Sequence, residues 1–357
     1  MKILHIISSL EIGGAQRLLS DFLPLLSHGH EVTLLVNKEI DNDFSSRIKD
    51  AGITIITSIL PIYSLKNIFF VRRIIKNYDV IHVHLFPTIY WAAFASIFKH
   101  IPMVYTEHST SNKRRGKWYL RPIEQFVYSR YRRIISISEQ TQYALTNWLG
   151  AATTDLRFTV VHNGINLSAF KPATHSKYQP DTLIMVSRFE VSKDQDTVLR
   201  AMQLLPTTLH LLLIGDGSRL ETCKALCNSL KIQGRVHFLG ARDDIATLLT
   251  NADIAIQSSH WEGFGLAAVE AMAAGLPVIA SDVDGLRQVV EGAGLLFPKG
   301  DAEALSKLVK LLHSDNHTYK IIAEKCQHRS QQYDIQETTN KYITIYEEVT
   351  NNKNNKN

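Results

Sequence analysis

The chain has 357 residues, of which 45% are hydrophobic and 20% are charged, and its formal net charge is +5. This length exceeds the usual size of one hydrophobic core and predicts two domains. The composition is typical of a soluble globular enzyme, and no apolar run approaches the length that crosses a bilayer. The modest charge, without a recognised nucleic-acid motif, disfavours nucleic acid as a partner.

The beginning of the chain predicts a β-strand. Segment 1–10 is apolar and runs directly into Glu11 and a glycine pair without a small-residue cleavage site, which disfavours a signal peptide. The cysteines are Cys223, Cys227 and Cys326. Their odd number, and the four-residue spacing of the first two on a predicted helix, indicate buried thiols in a reducing compartment. We therefore expect a cytoplasmic protein.

Apolar segments typical of β-strands alternate with helical stretches along the chain. The first series comprises 2–7, 30–36, 53–56, 80–84, 103–106, 133–137 and 158–162, and the second comprises 182–186, 209–214, 235–239, 253–257, 277–281 and 294–297. This alternation predicts an α/β fold with two Rossmann-like, doubly wound parallel sheets. Ligands of such sheets bind beyond the carboxyl ends of the strands, so we expect the site in a cleft between two domains.

The boundary between the domains is predicted in segment 163–181. It contains Asn163-Gly164, Pro172 and Pro180 and has little periodicity, which is typical of a linker. We assign an N-terminal domain to 1–168 and a C-terminal domain to 169–334. A final helix at about 335–350 is expected to cross back to the first domain. The tail 351–357, which contains only Asn and Lys, is predicted to be disordered.

Two carboxylates, Glu262 and Glu270, flank a segment of small and apolar residues. Gly263 and Gly265 lie there at a turn between a predicted strand and a predicted helix that begins at Leu266. Backbone N–H groups and the positive end of a helix dipole make such a turn an anion site, and glycine allows close approach. The carboxylates can accept hydrogen bonds from hydroxyl groups. The pattern predicts a phosphorylated sugar or a nucleotide as ligand.

Other strand ends carry cations and glycines. Arg188 and Lys193 follow the first strand of the second series, where they can clamp a diphosphate. Gly14 follows the first strand of the chain, and Gly215 lies in a Gly-Asp-Gly turn after strand 209–214, where it can approach a base or phosphate. Neither a Gly-x-Gly-x-x-Gly motif after the first strand nor a P-loop is present, which disfavours a dinucleotide oxidoreductase and a P-loop NTPase.

Segment 112–133 is strongly basic. Its cations are Lys113, Arg114, Arg115, Lys117, Arg121, Arg130, Arg132 and Arg133, interleaved with Trp118, Tyr119, Phe126, Tyr128 and Tyr131. Basic and aromatic residues together favour contact with an anionic membrane surface. The alternative is a solvated helix face that packs its aromatic side chains inward, and both interpretations remain open at this point.

Taken together, these motifs resemble the retaining glycosyltransferases of family four (glycosyl transferases group 1), which have the GT-B fold. The resemblance covers almost the whole chain. It is carried by segments 13–17, 106–109, 137–139, 161–166, 187–193 and 215–217, and above all by 262–280. It implies sugar transfer from a nucleotide-sugar, UDP being the commonest donor nucleotide, to a glycan or lipid-linked acceptor in cell-surface polysaccharide synthesis. Retention of anomeric configuration and the absence of a metal cofactor are implied as well.

The resemblance also implies roles for individual residues. Glu270 would bind the ribose hydroxyls, and Glu262 would lie by the sugar at the reacting centre. The donor would be contacted by the backbone of Phe264, Gly265 and Leu266. Its diphosphate would be held by Arg188 and Lys193, with Gly14 passing close to it. His108 would approach the sugar from the first domain.

Several alternatives stay open. A nucleotide-sugar 2-epimerase can share this architecture, and a catalytically silent partner subunit would keep the same motifs. Asp282-Val283-Asp284 imitates a metal-binding Asp-x-Asp motif but falls in a loop where the resembled family uses no metal. His82 and His84 alternate along a predicted strand and face one side of it. With no third ligand evident nearby, a packed or cleft-lining pair is favoured over a metal site.

Overall fold

A computed structural model of the chain describes residues 1–11, 13–38, 40–99, 101–110, 114–152, 154–170 and 181–351. The chain divides into two compact units, Met1–Gly164 with Ile335–Asn357, and Ile165–Asp334. Pro172 and Pro180 of the predicted linker, Asn112 and Lys113 of the basic segment, and the predicted tail from residue 352 lie outside the described residues.

The described part of unit 1 forms a seven-stranded parallel sheet in the order β3-β2-β1-β4-β5-β6-β7. The strands are β1 Lys2–Ser9, β2 Glu31–Lys38, β3 Thr54–Thr57, β4 Val80–His84, β5 Met103–Glu107, β6 Arg133–Ser136 and β7 Phe158–Val160. The helices between them are α1 Gly14–Ser27, α2 Asp43–Asp50, α3 Lys66–Ile74, α4 Thr88–Ala95, α5 Arg121–Ser129 and α6 Glu139–Leu149.

Alternate residues of the central strands pack on opposite faces of this sheet. Ile3 and Ile7 of β1 belong to one buried apolar cluster, and Leu4 and Ile6 belong to another on the other face. Both faces are covered, which explains why β1 is a nearly continuous apolar run rather than an alternating one.

The described residues of unit 2 form a six-stranded parallel sheet in the order β10-β9-β8-β11-β12-β13. The strands are β8 Thr182–Val186, β9 His210–Ile214, β10 Val236–Phe238, β11 Ile254–Gln257, β12 Val278–Ser281 and β13 Leu295–Phe297. The helices are α7 Gln195–Gln203, α8 Leu220–Ser229, α9 Ile245–Thr250, α10 Leu266–Ala273, α11 Leu286–Val290, α12 Ala302–Ser314 and α13 Asn316–Ser330. Cys223, Cys227 and Cys326 are buried free thiols.

The last helix, α14 Ile335–Asn351, belongs to unit 1. Its Tyr342 and Tyr346 are buried in the same cluster as Ile3, and the Tyr342 ring lies 5.0 Å from that of Phe22 on α1. Among the described residues, no helix combines the length and the apolarity needed to span a bilayer.

The predicted fold class is confirmed. All thirteen predicted strands are present, with ends that differ from the prediction by at most two residues, and all of them pair in parallel. Strand order in both sheets reverses beside the first strand of the unit, as in a doubly wound fold.

Candidate functional site

In unit 2, two of the predicted site residues lie against each other at the carboxyl ends of neighbouring strands. Lys193 follows β8 and Glu262 follows β11, and these strands pair in the sheet. The Lys193 ammonium donates a hydrogen bond to Oε2 of Glu262, and the two side chains are 17% and 19% exposed. A one-residue bridge between Lys193 and Ser259 also joins the two loops. The cation and the carboxylate therefore form a partly buried ion pair.

The carboxylate of Glu262 stays ionised despite its partial burial. Burial opposes ionisation, but the charge of Lys193 and backbone N–H groups of Gly263 and Phe264 together hold the pKa of Glu262 below its usual value. The Gly263 N–H donates to Oε1 of Glu262 at 3.0 Å. Glu262 is thus a charged hydrogen-bond acceptor at neutral pH.

Arg188 stands apart from this ion pair. The residue is exposed, and in the described part of the chain its guanidinium makes neither a hydrogen bond nor an ion pair. Its backbone is fixed, because the carbonyl oxygen of Arg188 accepts a hydrogen bond from Nε2 of Gln195 at 2.9 Å. The loop after β8 therefore presents two cations, of which Arg188 is uncompensated and Lys193 is shared with Glu262.

Helix α10 begins at this same edge of the sheet. Gly265 precedes it with a φ of +96°, a conformation that favours glycine, and a Cβ there would lie 2.7 Å from Cδ2 of Leu286. The ring of Phe264 is buried and packs edge-on against Tyr333, with the ring centroids 5.4 Å apart. The first turn, from Leu266, has backbone N–H groups without helical acceptors, which suits an anion.

Glu270 lies one turn further along α10. The residue is 8% exposed, so its carboxylate is largely shielded from water. Hydrogen bonds formed at such a position are electrostatically stronger than they are in solvent. Glu262 thus precedes α10 and Glu270 lies within it, and their predicted contacts with a donor stay predictions.

Gly215 is required by close backbone packing. It has a φ of +136°, and a Cβ there would lie 2.0 Å from the carbonyl oxygen of Ser187. Its N–H donates to the carbonyl oxygen of Gly240 at 2.8 Å. Gly215 therefore joins the loops that follow three neighbouring strands, and its predicted contact with a donor stays a prediction.

The Asp282-Val283-Asp284 segment borders the same site. The Asp282 carboxylate accepts a hydrogen bond from Nε of Arg287, and this bond holds the pKa of Asp282 below its usual value. Gly285 then packs against the loop before α10, since a Cβ there would lie 2.7 Å from the carbonyl oxygen of Glu262. The segment Asp282–Gly285 thus packs against the loop that carries Glu262, a contact that the sequence alone does not predict.

In unit 1, Gly14 is the first residue of α1 and is exposed. Gly13 precedes it in an extended conformation, with a φ of −175°. The N-terminus of α1 is fixed by Gln16, whose Nε2 donates to the carbonyl oxygen of Ser9 at 3.2 Å. Gly14 therefore contributes no side chain of its own at the start of α1, at the carboxyl end of β1.

His108 follows β5 beside a buried acidic residue, Glu107. The Glu107 carboxylate accepts hydrogen bonds from Nη2 of Arg115 at 2.8 Å and from the Tyr128 hydroxyl at 3.0 Å. Burial raises the pKa of Glu107, while the charge of Arg115 and the bond from Tyr128 oppose that rise. Arg115 also donates to the carbonyl oxygens of Ser109 and Thr110, which fixes the loop that carries His108.

The His108 ring is bonded to a further histidine. Its Nε2 lies 3.2 Å from Nδ1 of His84, and Nε2 of His84 lies 3.1 Å from Nδ1 of His5. His82 is bonded to hydroxyls instead, through Nδ1 to Tyr346 at 2.6 Å and through Nε2 to Thr106 at 2.8 Å. The sequence therefore predicts the packed pair of His82 and His84 but misses His5, which the pairing of β1 with β4 brings beside them.

His5, His82 and His84 each offer a ring nitrogen, and these atoms lie within 4.8 Å of one another. A third possible metal ligand is thus present, contrary to the expectation from sequence. The bonds described above already engage both ring nitrogens of His82 and of His84, and Nδ1 of His5. These features favour a hydrogen-bonded network over a metal centre.

Much of the predicted basic surface is turned inward. Arg114 donates to the fully buried Glu124 at 2.6 Å and lies 4.2 Å from the centre of the Phe86 ring, and Arg115 is bound to Glu107. Arg133 pairs with Glu348 of α14. The charges of Arg114 and Arg115 are therefore engaged by buried acids and are not freely available to a membrane, whereas the Arg133–Glu348 pair lies at the surface.

What remains exposed in this segment is mainly aromatic. Trp118 is 80% and Tyr119 59% exposed, while Phe126 and Ile123 on α5 are each 41% exposed. Lys117 and Arg121 are exposed cations beside them. In contrast, Tyr128 and Tyr131 are buried, so the inward-packing interpretation holds for those two aromatic residues.

Two family models match the chain in succession. Glycosyltransferase Family 4 matches residues 12–169, and Glycosyl transferases group 1 matches residues 169–329. The second match contains the loops of Arg188, Lys193 and Glu262 and the whole of α10.

Two curated relatives and one solved structure illustrate the similarity. The chain is 33% identical to an N-acetyl-alpha-D-glucosaminyl L-malate synthase of Bacillus anthracis over 47% of this chain and 45% of that protein. It is 23% identical to the N,N'-diacetylbacillosaminyl-diphospho-undecaprenol alpha-1,3-N-acetylgalactosaminyltransferase of Campylobacter jejuni over 90% of this chain and 92% of the relative. The chain thus spans about half the length of the first relative and almost all of the second.

A crystal structure of Anabaena Alr3699/HepE in complex with UDP and glucose superposes with a TM-score of 0.86. The superposition covers 97% of this chain and 99% of the Anabaena chain, at 22% identity. At this identity the likeness establishes the shared fold.

Proposed function

Since the chain belongs to the group 1 (family 4) glycosyltransferases, we propose that it transfers a sugar from a nucleotide-sugar, with UDP as the nucleotide, to a glycan or lipid-linked acceptor. The observation that carries this proposal is the arrangement at the carboxyl edge of the unit 2 sheet. Three features there match the charge of a sugar diphosphate. They are the exposed guanidinium of Arg188, which has no partner among the described residues, the Lys193–Glu262 ion pair and the N-terminus of α10.

In this proposal each residue meets one part of the donor. Arg188 and Lys193 bind the diphosphate, and the backbone of Phe264, Gly265 and Leu266 binds the phosphate and sugar. Glu270 accepts hydrogen bonds from the ribose hydroxyls. The support for UDP is that the Anabaena relative of this fold is a complex with UDP and glucose.

Gly14, Gly215 and His108 complete the proposed set. We propose that an anion approaches the N-terminus of α1 at Gly14, because glycine has no side chain. Gly215 keeps the loops after β8 and β9 close enough to border one ligand. His108 is proposed to contact the sugar of the donor.

The difficult step is departure of the nucleoside diphosphate, which leaves positive charge on the sugar ring and negative charge on the phosphate. Preorganised cations and helix N–H groups stabilise that negative charge. In the retaining route, the bond from the anomeric carbon to the phosphate oxygen breaks, and an acceptor oxygen bonds to the same face. The departing phosphate takes the proton of the acceptor hydroxyl, so no protein nucleophile is assigned. Glu262 stabilises the sugar, and no metal is required.

For the acceptor, the support is the Campylobacter jejuni relative, whose name specifies a diphospho-undecaprenol substrate. We therefore propose a lipid-linked acceptor in cell-surface polysaccharide synthesis, a cytoplasmic location and peripheral contact with an anionic membrane. The exposed surface formed by Trp118, Tyr119, Ile123 and Phe126 would make that contact. Vesicle sedimentation should show binding that Trp118→Ser with Phe126→Ser abolishes, whereas undiminished binding would refute this surface.

The donor is tested by the thermal stability of the chain with UDP, GDP, ADP and their sugar conjugates. A ligand at one hundred times its Kd adds about 2.7 kcal/mol of stability. We expect stabilisation by uridine nucleotides that is lost in Arg188→Ala and Glu270→Ala and retained in Arg200→Ala, an exposed arginine on α7. Stabilisation by another nucleotide class would overturn the assignment of UDP.

Activity is tested by hydrolysis of the stabilising nucleotide-sugar. Glu262→Gln should abolish hydrolysis, while Glu221→Gln, which breaks an exposed Lys–Glu pair in the same unit, should not. Donor binding without hydrolysis by the unmodified chain would favour a silent partner subunit, and conversion to the 2-epimer would favour an epimerase.

A further inference from the structure

A row of histidines crosses three adjacent strands inside unit 1. His5 lies on β1, His84 on β4, and His108 follows β5. The first two are fully buried, and the His5 and His84 rings stack with centroids 5.4 Å apart. Only His108 reaches the partly exposed loop at the carboxyl edge. The row therefore connects a proposed donor contact with the interior of the sheet.

The row is joined end to end by ring nitrogens. His108 bonds through Nε2 to Nδ1 of His84, and His84 bonds through Nε2 to Nδ1 of His5, at 3.2 and 3.1 Å. The two outer nitrogens, Nδ1 of His108 and Nε2 of His5, are buried and have no hydrogen-bond partner in the described part of the chain. Each end of the row thus carries one unsatisfied atom.

All three rings are neutral at physiological pH. Burial lowers the pKa of His5 and of His108 to about 3, and it lowers the pKa of His84 well below its usual value. The neighbouring rings of His82, His5 and His108 lower the pKa of His84 further. The neighbouring carboxylate of Glu107 is engaged by Arg115 and Tyr128. No imidazolium is therefore expected in the row.

A neutral imidazole has one N–H and one bare nitrogen, so this row has only two arrangements. If His5 and His84 carry hydrogen on Nδ1, then His108 must also carry it on Nδ1, and the bare nitrogen lies at His5. If all three carry it on Nε2, an N–H is orphaned in the core at His5 and His108 presents a bare nitrogen. Either arrangement leaves one N–H without a partner in the described part of the chain, at His108 in the first and at His5 in the second. The first is favoured because His108 borders the partly exposed loop, where a bound ligand can accept from that N–H, whereas His5 is enclosed in the core.

We infer that His84, supported by His5, is a positioning residue that holds His108 as the neutral Nδ1–H tautomer. This rests on the proposed function, in which His108 contacts the sugar of the donor; the Nδ1–H is then the group that donates to a sugar oxygen. His84 itself touches no substrate. It acts by donating its own Nδ1–H to Nε2 of His108, which leaves that ring no other tautomer without breaking the bond.

The test is NMR of the full chain labelled with 15N-histidine, in which long-range 1H–15N correlations report the tautomer of each ring. We expect His108 to carry hydrogen on Nδ1 and not to titrate between about pH 5 and 8. His84→Leu should give His108 a mixture of tautomers, and His84→Asn, whose amide can still donate to Nε2 of His108, should restore Nδ1–H. The control His237→Asn breaks an exposed bond between His210 and His237 in unit 2 and should leave His108 unchanged.

Hydrolysis of UDP-glucose provides the second readout. For His84→Leu we expect kcat to fall about ten- to a hundredfold with little change in KM, as for other orienting partners, and His84→Asn should recover most of the loss. A His108 tautomer with hydrogen on Nε2 in the unmodified chain would overturn the inference even if the Leu variant fails to fold. So would a His108 tautomer that His84→Leu leaves unchanged. If the unmodified chain hydrolyses no nucleotide-sugar while the tautomer follows His84 as stated, the proposed function fails and the positioning of His108 stands.

Discussion

Gly285→Ala should disturb the loop that carries Glu262. Gly285 has a helical φ of −42°, so alanine introduces no backbone strain of its own. The added Cβ would lie 2.7 Å from the Glu262 carbonyl oxygen and 2.8 Å from both the Gly263 carbonyl carbon and the Phe264 nitrogen. Real Cβ contacts essentially never fall under 3.0 Å, so the loop must move by about 0.3 Å at least.

The cost follows from this forced movement. Overpacking of this kind costs about 1–3 kcal/mol of unfolding free energy. In a unit of this size each kcal/mol lowers the Tm by about 2–4 °C. The displaced loop carries Glu262 and leads into α10, and misplacement by about 1 Å can cost a hundredfold in rate. We expect hydrolysis of UDP-glucose to fall about tenfold or more in a folded protein.

The assay compares Gly285→Ala with Gly234→Ala, whose Cβ would meet nothing within 4 Å. Thermal unfolding and kcat/KM for UDP-glucose hydrolysis are measured for both variants. Gly234→Ala should change neither quantity. Full activity and an unchanged Tm in Gly285→Ala would refute the claim that the Asp282–Gly285 segment supports the Glu262 loop.

Three further predictions concern charge and metal. Arg114→Met should lower the free energy of unfolding by about 3–5 kcal/mol in chemical denaturation, because it leaves the buried Glu124 without its cation. The control Lys117→Met, at an exposed position, should change it by no more than about 0.5 kcal/mol. Equal effects of the two variants would contradict the buried ion pair. The folded-state pKa of Glu262 is depressed, so its contribution to stability should be full above about pH 4.5 and be lost as the pH falls towards the folded pKa. Glu262→Gln should flatten that part of the stability profile, and an unchanged profile would count against the ion pair. EDTA should leave hydrolysis of the nucleotide-sugar intact; inhibition reversed by a divalent cation would show that the proposed metal-free mechanism is wrong.

The fold and the family could be predicted from sequence because their signals are local. Strand 80–84 lies between Asp79 and a Leu85-Phe86-Pro87 segment and is rich in β-branched residues, and its ends are located to the residue. The segment from Glu262 to Glu270 combines glycines, a helix former and two acids within nine positions. Such patterns depend on neighbours along the chain, so they survive without knowledge of the tertiary structure.

The features that sequence did not reveal depend on distant partners. Lys193 and Glu262 are 69 positions apart in the chain and form an ion pair in the structure. The sequence predicts that each of them contacts the donor, but it does not predict that they bind each other. His5 joins His84 only through the pairing of β1 with β4. The sequence could indicate this contact only through histidines that face the same side of two predicted strands. Using that pattern requires knowing that β1 and β4 are neighbours in the sheet.

For the basic segment, the sequence left two interpretations open. Its charge pattern predicts a surface, because composition does not distinguish a solvated arginine from one bound to a buried acid. Glu124 is the single acid within 112–133, and it is buried by Arg114, Tyr90 and Trp148. We therefore base the proposed membrane contact on the exposed aromatic side chains and not on the arginines.

The central claim is that unit 2 holds a nucleoside diphosphate through Arg188 and its neighbours, and calorimetric titration with UDP and with uridine tests it most directly. We predict that UDP binds more tightly than uridine and that Arg188→Ala removes about 1.5–3 kcal/mol from UDP binding alone. Arg200→Ala should bind both ligands as the unmodified chain does. Equal affinities for UDP and uridine, or an unchanged UDP affinity in Arg188→Ala, would contradict the account.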